Sequence, residues 1–359
     1  MSLAILLHLK SLLIGRRNSL ALLDSAINRL EFDEVVALIE QSSSIVVCAH
    51  TSPDGDAIGS GLALSSLINR IWPTKTVTNL LADADGEVPR IYQFLEGAES
   101  YVPANKYTGT PDLFICVDLS TASRLADAEQ LMQKAKMVAV LDHHPYNESY
   151  WNAGLVRPDA AATGVLITEF GCHLGITFTP AEAQCLLCAL VTDTGRFQYQ
   201  NADGEAFEIA SLLVDAGASP SQIALNVYQS DRLAYIHLAA KVMGRIRTFG
   251  EGRVAYSYVT TADLAAINVP LSEMDGLVDI VRCVEGTEIA LFLKEVDGGK
   301  VRGNLRSKSD LDISGVARAL GGGGHVAAAG FTAEGTIDDV FTQVVPLLID
   351  LLALDKEHE

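Results

Sequence analysis

Apolar residues at 26, 27, 30, 35, 36, 38 and 39 recur at helical spacing and predict an amphipathic helix over 24–41. Three short runs follow it along the chain: SIVVCA (44–49), LFICV (113–117) and MVAVL (137–141). Each is rich in β-branched residues and ends abruptly in a polar cluster, the pattern of a buried strand. Helical patterns at 58–69 and 122–135 lie between them. Strands alternating with helices predict a parallel sheet covered on both faces.

A helical pattern at 207–216 stops at Gly217-Ala218-Ser219-Pro220, and a mixed helical stretch runs over 221–243. Beyond it, 254–259, 288–295 and 300–307 read as strands, with Asp297-Gly298-Gly299 as a hairpin turn. A helix over 313–320 then runs into four glycines at 321–324. The fold class is therefore α/β. An N-terminal parallel-sheet domain is expected at 24–222, a helical linker at 223–244 and a smaller C-terminal α/β domain at 245–354.

An apolar fraction of 49% in 359 residues suits a chain with a sizeable core. The formal net charge of −19 repels nucleic acid at long range and argues against a broad basic face for long duplexes. It leaves open a small anionic substrate in a metal-lined cleft, where bound cations offset the count. Cys185 and Cys188 form a lone C-x-x-C among apolar neighbours; two core residues on a helix face account for it better than redox or zinc chemistry. Reduced cysteines fit a cytoplasmic setting. The segment 1–23 places Arg16-Arg17 after its apolar stretch, the reverse of a signal peptide, and is too short to span a bilayer. It reads as an extension or an over-long start, so no membrane partner is expected.

The polar clusters that end the runs carry the candidate chemistry. His50-Thr51-Ser52-Pro53-Asp54-Gly55-Asp56 follows the first strand directly, and ligands of open parallel sheets bind beyond the carboxyl ends of strands. Pro53 and Gly55 favour a tight loop in which His50, Asp54 and Asp56 converge. An Asx-turn with a helix N-cap accounts for only one of these aspartates. Asp118 ends LFICV, Asp142-His143-His144 ends MVAVL, and Asp193 leaves an apolar run into a Thr-Gly turn. Singly, Asp118 and Asp193 read as loop caps. Together, His50, Asp54, Asp56, Asp118, His143 and Asp193 supply six oxygen and nitrogen donors, a set suited to two divalent ions sharing carboxylates. Structural zinc is disfavoured, because no cysteine joins these clusters. The first strand is not followed by G-x-G-x-x-G, which argues against a dehydrogenase.

In order and content, H-T-S-P-D-G-D (50–56), V-D-L-S (117–120), L-D-H-H-P (141–145) and V-T-D-T-G (191–195) resemble the four motifs of the DHH phosphoesterase superfamily. G-G-G-G-H-V-A-A-A-G (321–330) resembles its DHHA1 domain. The resemblance implies that His50, Asp54, Asp118 and Asp193 hold one Mn²⁺, and Asp56, Asp118, His143 and Asp193 the other, with Mg²⁺ or Co²⁺ as substitutes. It implies that His144 faces the scissile phosphate, as hydrogen-bond donor or leaving-group acid, and that Asp142 orients the histidines. Arg124 matches a family arginine, although a surface salt bridge accounts for it nearly as well. Pyrophosphatases of the superfamily carry a different C-terminal domain, RecJ-like exonucleases are usually much longer, and the cyclic-dinucleotide enzymes carry transmembrane and sensory segments. The remaining branch is the NrnA type, whose substrates are RNA of a few nucleotides, such as pGpG, and 3′-phosphoadenosine-5′-phosphate (pAp). A homodimer is compatible with this reading.

Within 300–307, period two puts Arg302, Asn304 and Arg306 on one strand face. Two guanidiniums aimed alike suit bidentate phosphate recognition; a solvated edge strand with protective charges is the plain alternative. The family resemblance favours the former, with Asn304 where the family usually has serine. Glycine after a helix supplies a left-handed cap, but four exceed that need. Gly322, Gly323 and Gly324 would allow close approach of a phosphate or base to the backbone. His325 would stack on a base or bind a phosphate, a packed histidine being the alternative. A nucleotide-sensing regulator that binds without cleaving is the non-enzymatic reading; it expects gaps in the ligand set, and none are present.

Overall fold

The computed structural model describes residues 29–356 except 85, 120, 147–148, 268–273, 275 and 297. The segment 1–23, the first residues of the helix expected from 24, Ser120 and Asp297 lie outside the described residues. Two compact units meet in sequence at Ser230/Asp231.

The first unit opens with α1 (Arg29–Gln41), β1 (Ser44–Cys48), α2 (Gly55–Ile71), β2 (Thr76–Leu81) and the short β3 (Val102–Pro103). It continues through β4 (Leu113–Val117), β5 (Met137–Asp142) and β6 (Ala153–Val156). Helices α4 (Thr163–His173), α5 (Pro180–Asp193), α6 (Gly204–Asp215) and the single turn α7 (Pro220–Ile223) follow. All strand pairs are parallel, in the order β3-β2-β1-β4-β5-β6. The order reverses between β1 and β4, so a crevice opens beyond their carboxyl ends. β4 is buried throughout, and Val46, Val47, Ile115, Val140 and Leu141 are inaccessible to solvent. Each such side chain contributes roughly 1.5–3 kcal/mol of burial. The sheet carries separate apolar clusters on its two faces, as the continuous apolar runs predicted. β2 and β6 were not anticipated: TVTNLL and AGLV lack the uninterrupted apolar character of the central strands.

The helix expected over 122–135 is broken. A 3₁₀ stretch (Ala122–Ala128) precedes α3 (Glu129–Lys134), and within that stretch Ala126 departs from helix at φ 44° and ψ −118°. Tertiary bonds impose the break: the Ala128 N–H donates to the Ala82 carbonyl, and the Asp127 carboxylate accepts the Ala84 N–H.

The second unit contains α8 (Leu233–Gly244), β7 (Arg247–Phe249), β8 (Val254–Val259), α9 (Thr261–Ile267), α10 (Leu277–Arg282), β9 (Ile289–Val296) and β10 (Lys300–Ser307). α11 (Ile313–Ala319), β11 (Gly323–Gly324), β12 (Ala328–Glu334) and α12 (Ile337–Lys356) complete it. Its sheet runs β11-β12-β10-β9-β8-β7, antiparallel except for the β8–β9 pair. Leu238, Ala239 and Val242 of α8 are buried in this unit, so that part of the stretch read as a linker belongs to its core. No helix among the described residues is long and apolar enough to cross a membrane.

Candidate metal centre

Three loops at the carboxyl edge of the first sheet and the end of one helix bring the predicted donors together. His50 follows β1, Asp118 follows β4, and Asp142-His143-His144 closes β5. Asp193 is the last residue of α5, a helix C-terminus whose dipole favours a cation beside it. Asp54 is the N-cap of α2: its Oδ1 accepts the N–H groups of Asp56 and Ala57, both at 3.0 Å. Its Oδ2 lies 3.8 Å from His50 Nε2, so helix capping leaves that oxygen available to a metal.

Asp118 divides its carboxylate between two sets of donors. Oδ2 lies 3.3 Å from His50 Nε2, whereas Oδ1 lies 3.6 Å from His143 Nε2. His143 Nε2 is also 3.4 Å from Asp193 Oδ2 and 3.8 Å from Asp56 Oδ2. The ligand atoms of His50, Asp54 and Asp118 lie within 4.8 Å of one another, as do those of Asp56, Asp118 and His143. Asp118 sits at φ 57°, unusual for a residue other than glycine, and its N–H donates to the Leu141 carbonyl at 3.1 Å.

The ring tautomers follow from the far side of each imidazole. His50 Nδ1 is 2.8 Å from the Thr51 carbonyl, and His143 Nδ1 is 3.0 Å from the Ala160 carbonyl. A carbonyl only accepts, so each Nδ1 carries a proton, and in the neutral ring each Nε2 turns a lone pair toward carboxylate oxygens. Lone pairs facing anions are satisfied by a cation placed among them. The donor chemistry therefore fits divalent metal, with the outer hydrogen bonds that metal-binding histidines ordinarily make.

The electrostatics agree. Burial, and then the neighbouring Asp56, Asp54, Asp142 and Asp193 carboxylates, push the Asp118 carboxyl well above its usual value. Asp56 is raised by burial and by Asp54, although it accepts the Thr163 N–H at 2.6 Å and the Gly164 N–H at 2.9 Å from the first turn of α4. Burial lowers His50. Burial also opposes protonation of His143, but Asp193 and Asp56 outweigh it and raise that ring. A crowded set of carboxylates in low dielectric is costly until positive charge joins it.

His144 Nδ1 lies 2.8 Å from Asp142 Oδ1, which also accepts the His143 backbone N–H at 2.8 Å. Asp142 is fully buried and His144 partly exposed. Arg124 lies exposed on the 3₁₀ stretch; its carbonyl accepts the Thr51 N–H at 3.0 Å, and its charge acts on His50 and Asp54.

Several contributors escape the motif reading. Thr163 donates its hydroxyl to Asp118 Oδ1 at 3.1 Å and its N–H to Asp56. Its only signal in the sequence is Thr163-Gly164 after an alanine run, which resembles any helix start. Asp83, beyond β2, accepts the Ser52 N–H at 3.1 Å and holds that residue at φ 52° within the first motif. Gly55 is not a turn glycine: a Cβ there would come within 2.4 Å of Thr192 Oγ1, so its absence lets α2 approach the end of α5 that carries Asp193.

In the second unit, burial alternates along β10, leaving Arg302 exposed and Asn304 and Arg306 partly exposed on one face. β10 lies between β9 and β12, so its charges are not those of a solvated edge strand. Arg306 Nε lies 4.0 Å from Asp279 Oδ1. Gly321 supplies the left-handed cap of α11, with φ 76°. Gly322 packs on β12, where a Cβ would come within 2.1 Å of the Gly330 carbonyl oxygen, and Gly324 pairs with Ala329. A Cβ on Gly323 would meet nothing within 4 Å. His325 opens the β11–β12 turn, its N–H donating to the Ala328 carbonyl at 2.8 Å. Cys185 and Cys188 are buried in α5 as free thiols.

Comparison with known proteins places this geometry. Residues 44–190 match the N-terminal domain of the DHH family, and 251–353 match the DHHA1 domain. A Thermus thermophilus protein named bifunctional oligoribonuclease and PAP phosphatase NrnA is 28% identical over 87% of this chain and 90% of its own length. A Bacillus subtilis protein of the same name is 26% identical over 91% of this chain and 99% of its own. The crystal structure of an exopolyphosphatase-related protein from Bacteroides fragilis superposes with a TM-score of 0.84 at 23% identity, covering 91% of this chain and 99% of that one, and supports the fold. With both domain models matched in order over most of the chain, and a cluster of histidines and carboxylates able to hold metal at the first sheet's edge, the chain belongs to the DHH–DHHA1 family of metal-dependent phosphoesterases.

Proposed function

We propose that this enzyme hydrolyses RNA of a few nucleotides, such as pGpG, to 5′-mononucleotides, and pAp to AMP, with two Mn²⁺ ions. The observation that carries the reading is the division of the Asp118 oxygens between the His50 and the His143 donor sets. The names of the full-length relatives support the substrate class. When bound, the ions activate water and offset charge on the phosphoryl oxygens.

The remaining work falls to side chains. His50, Asp54 and Asp118 would hold one ion, and Asp56, Asp118, His143 and Asp193 the other; the resemblance also gives Asp193 to the first ion, and its Oδ2 lies beside His143 Nε2. The Thr51 and Ala160 carbonyls keep both ligand rings in the tautomer that offers Nε2. Asp142 fixes His144 through Nδ1, leaving Nε2 to deliver a proton to the departing oxygen. Arg124 adds positive charge beside the first donor set. Arg302 and Arg306 grip the terminal phosphate, Asn304 adds a hydrogen-bonding group, and Gly323 and His325 receive a base or sugar.

A panel of substrates at one Mn²⁺ concentration tests this: pGpG, a longer RNA, pAp, single-stranded DNA, pyrophosphate and cyclic di-AMP. Turnover is expected to be fastest on pGpG and pAp. Faster hydrolysis of pyrophosphate or long DNA would move the enzyme to another branch of the family.

A further inference from the structure

Asn201 stands outside every motif used so far, yet it joins two segments of the metal centre. It lies in the turns after α5, eight residues beyond Asp193. Its Nδ2 donates to the Ala161 carbonyl at 3.0 Å and to the Asp193 carbonyl at 3.2 Å. Both amide hydrogens are thus committed. Asn201 Oδ1 is buried and accepts no hydrogen bond among the described residues. An apolar side chain of the same shape would leave the Ala161 and Asp193 carbonyls without these two donors.

The two carbonyls identify the role. Asp193 supplies Oδ2 beside His143 Nε2. Ala161 follows Ala160, whose carbonyl accepts the His143 Nδ1–H hydrogen bond, and precedes the turn in which Thr163 binds Asp56 and Asp118. One amide therefore ties the peptide of one ligand to the segment that sets the tautomer of a second and positions two more. The His50 side is held by other contacts: the Thr51 carbonyl, the Arg124 carbonyl and the Asp83 carboxylate.

We infer that Asn201 is a positioning residue chiefly for the metal on the His143 side, fixing the separation of Asp193 and His143 through Ala161. The inference rests on the two-metal reading above. Removing an outer-shell group of this kind typically weakens metal affinity about 10–100-fold.

The test is a calorimetric Mn²⁺ titration of the full chain, stripped of metal, as wild type, Asn201→Leu, His50→Gln and His143→Gln. Asn201→Leu keeps the shape and removes both donors. The two histidine variants mark which binding constant belongs to which side. Asn201→Leu is expected to weaken the constant lost in His143→Gln by about 10–100-fold and to leave the other within about twofold. Should Asn201→Leu not fold, Asn201→Ala gives the same split, with circular dichroism and metal-free melting as the check on folding. A lower melting point with both constants unchanged, or both weakened equally, would reduce Asn201 to a structural residue and overturn the inference. A wild type that binds a single ion would instead remove the two-metal reading itself, whatever the variants do.

Discussion

The metal centre collects its donors from three strand-end loops and a helix end, separated by up to 143 positions, between His50 and Asp193, whereas Arg302, Asn304 and Arg306 come from one strand, two residues apart. The first depends on the sheet, because β1, β4 and β5 must lie side by side before donors of different loops meet. The second depends on strand pleat, which puts alternate residues on one face whatever lies elsewhere. A distributed site needs supports: Thr163 and the Ala160 carbonyl hold Asp56, Asp118 and His143 from outside their own loops, and Asp83 holds the loop that carries His50 and Asp54. The strand site is held by its ladder, with β9 and β12 on either side.

The largest effect should come from the carboxylate that both donor sets share. Asp118→Asn is expected to abolish turnover on every substrate. It should raise the melting temperature of the metal-free protein at neutral pH, because burial and four neighbouring carboxylates oppose an ionised Asp118. Activity together with scanning calorimetry in chelator checks both; a lower melting point would show that Asp118 stabilises the fold without metal. Asp142→Asn should reduce kcat roughly 10²–10⁴-fold while metal content, measured by elemental analysis, stays at the wild-type value. Loss of metal in that variant would make Asp142 part of the ligand scaffold rather than a partner of His144.

The strand site should respond in KM. Arg306→Ala and Arg302→Ala each remove a charge-assisted hydrogen bond worth about 1.5–3 kcal/mol, so KM for pGpG should rise at least tenfold with kcat little changed. Arg306→Lys should recover only part, since an ammonium lacks the planar fork. A fall in kcat alone would take these arginines out of ground-state binding.

The sequence made some of this visible and hid the rest for physical reasons. Central strands showed because they are buried on both faces and read as unbroken apolar runs. TVTNLL and AGLV did not, since outer strands are only half buried. The six donors were legible because histidines and aspartates that repeatedly end apolar runs exceed what capping and core packing need. Thr163, Asp83 and Asn201 were not, because threonine, aspartate and asparagine are ordinary residues of turns and caps, and only the folded chain brings their hydrogen bonds to the ligands. The same limit hid the purpose of Gly55, which makes room for Thr192 from a distant helix.

The smallest effect on turnover is expected far from either site. Hydrogen bonding to Arg245 holds the Asp263 carboxyl well below its usual value despite burial, with Thr260 and Lys241 adding to it. A depressed carboxylate stabilises the fold above its unfolded value, about 3.9, and loses that contribution as pH falls through the lower folded value. Arg245→Ala should therefore cost the second unit about 1.5–3 kcal/mol at pH 7 and flatten its acid sensitivity in denaturant melts at pH 7 and pH 3. It should leave kcat unchanged. An unaltered acid profile would remove this pair from the stability of the unit.

Anomalous diffraction at the manganese edge, from crystals grown with Mn²⁺, bears most directly on the centre. Two peaks are predicted, one ligated by His50 Nε2 and Asp118 Oδ2, the other by His143 Nε2 and Asp118 Oδ1. A single peak, or manganese bound without Asp118, would contradict the account.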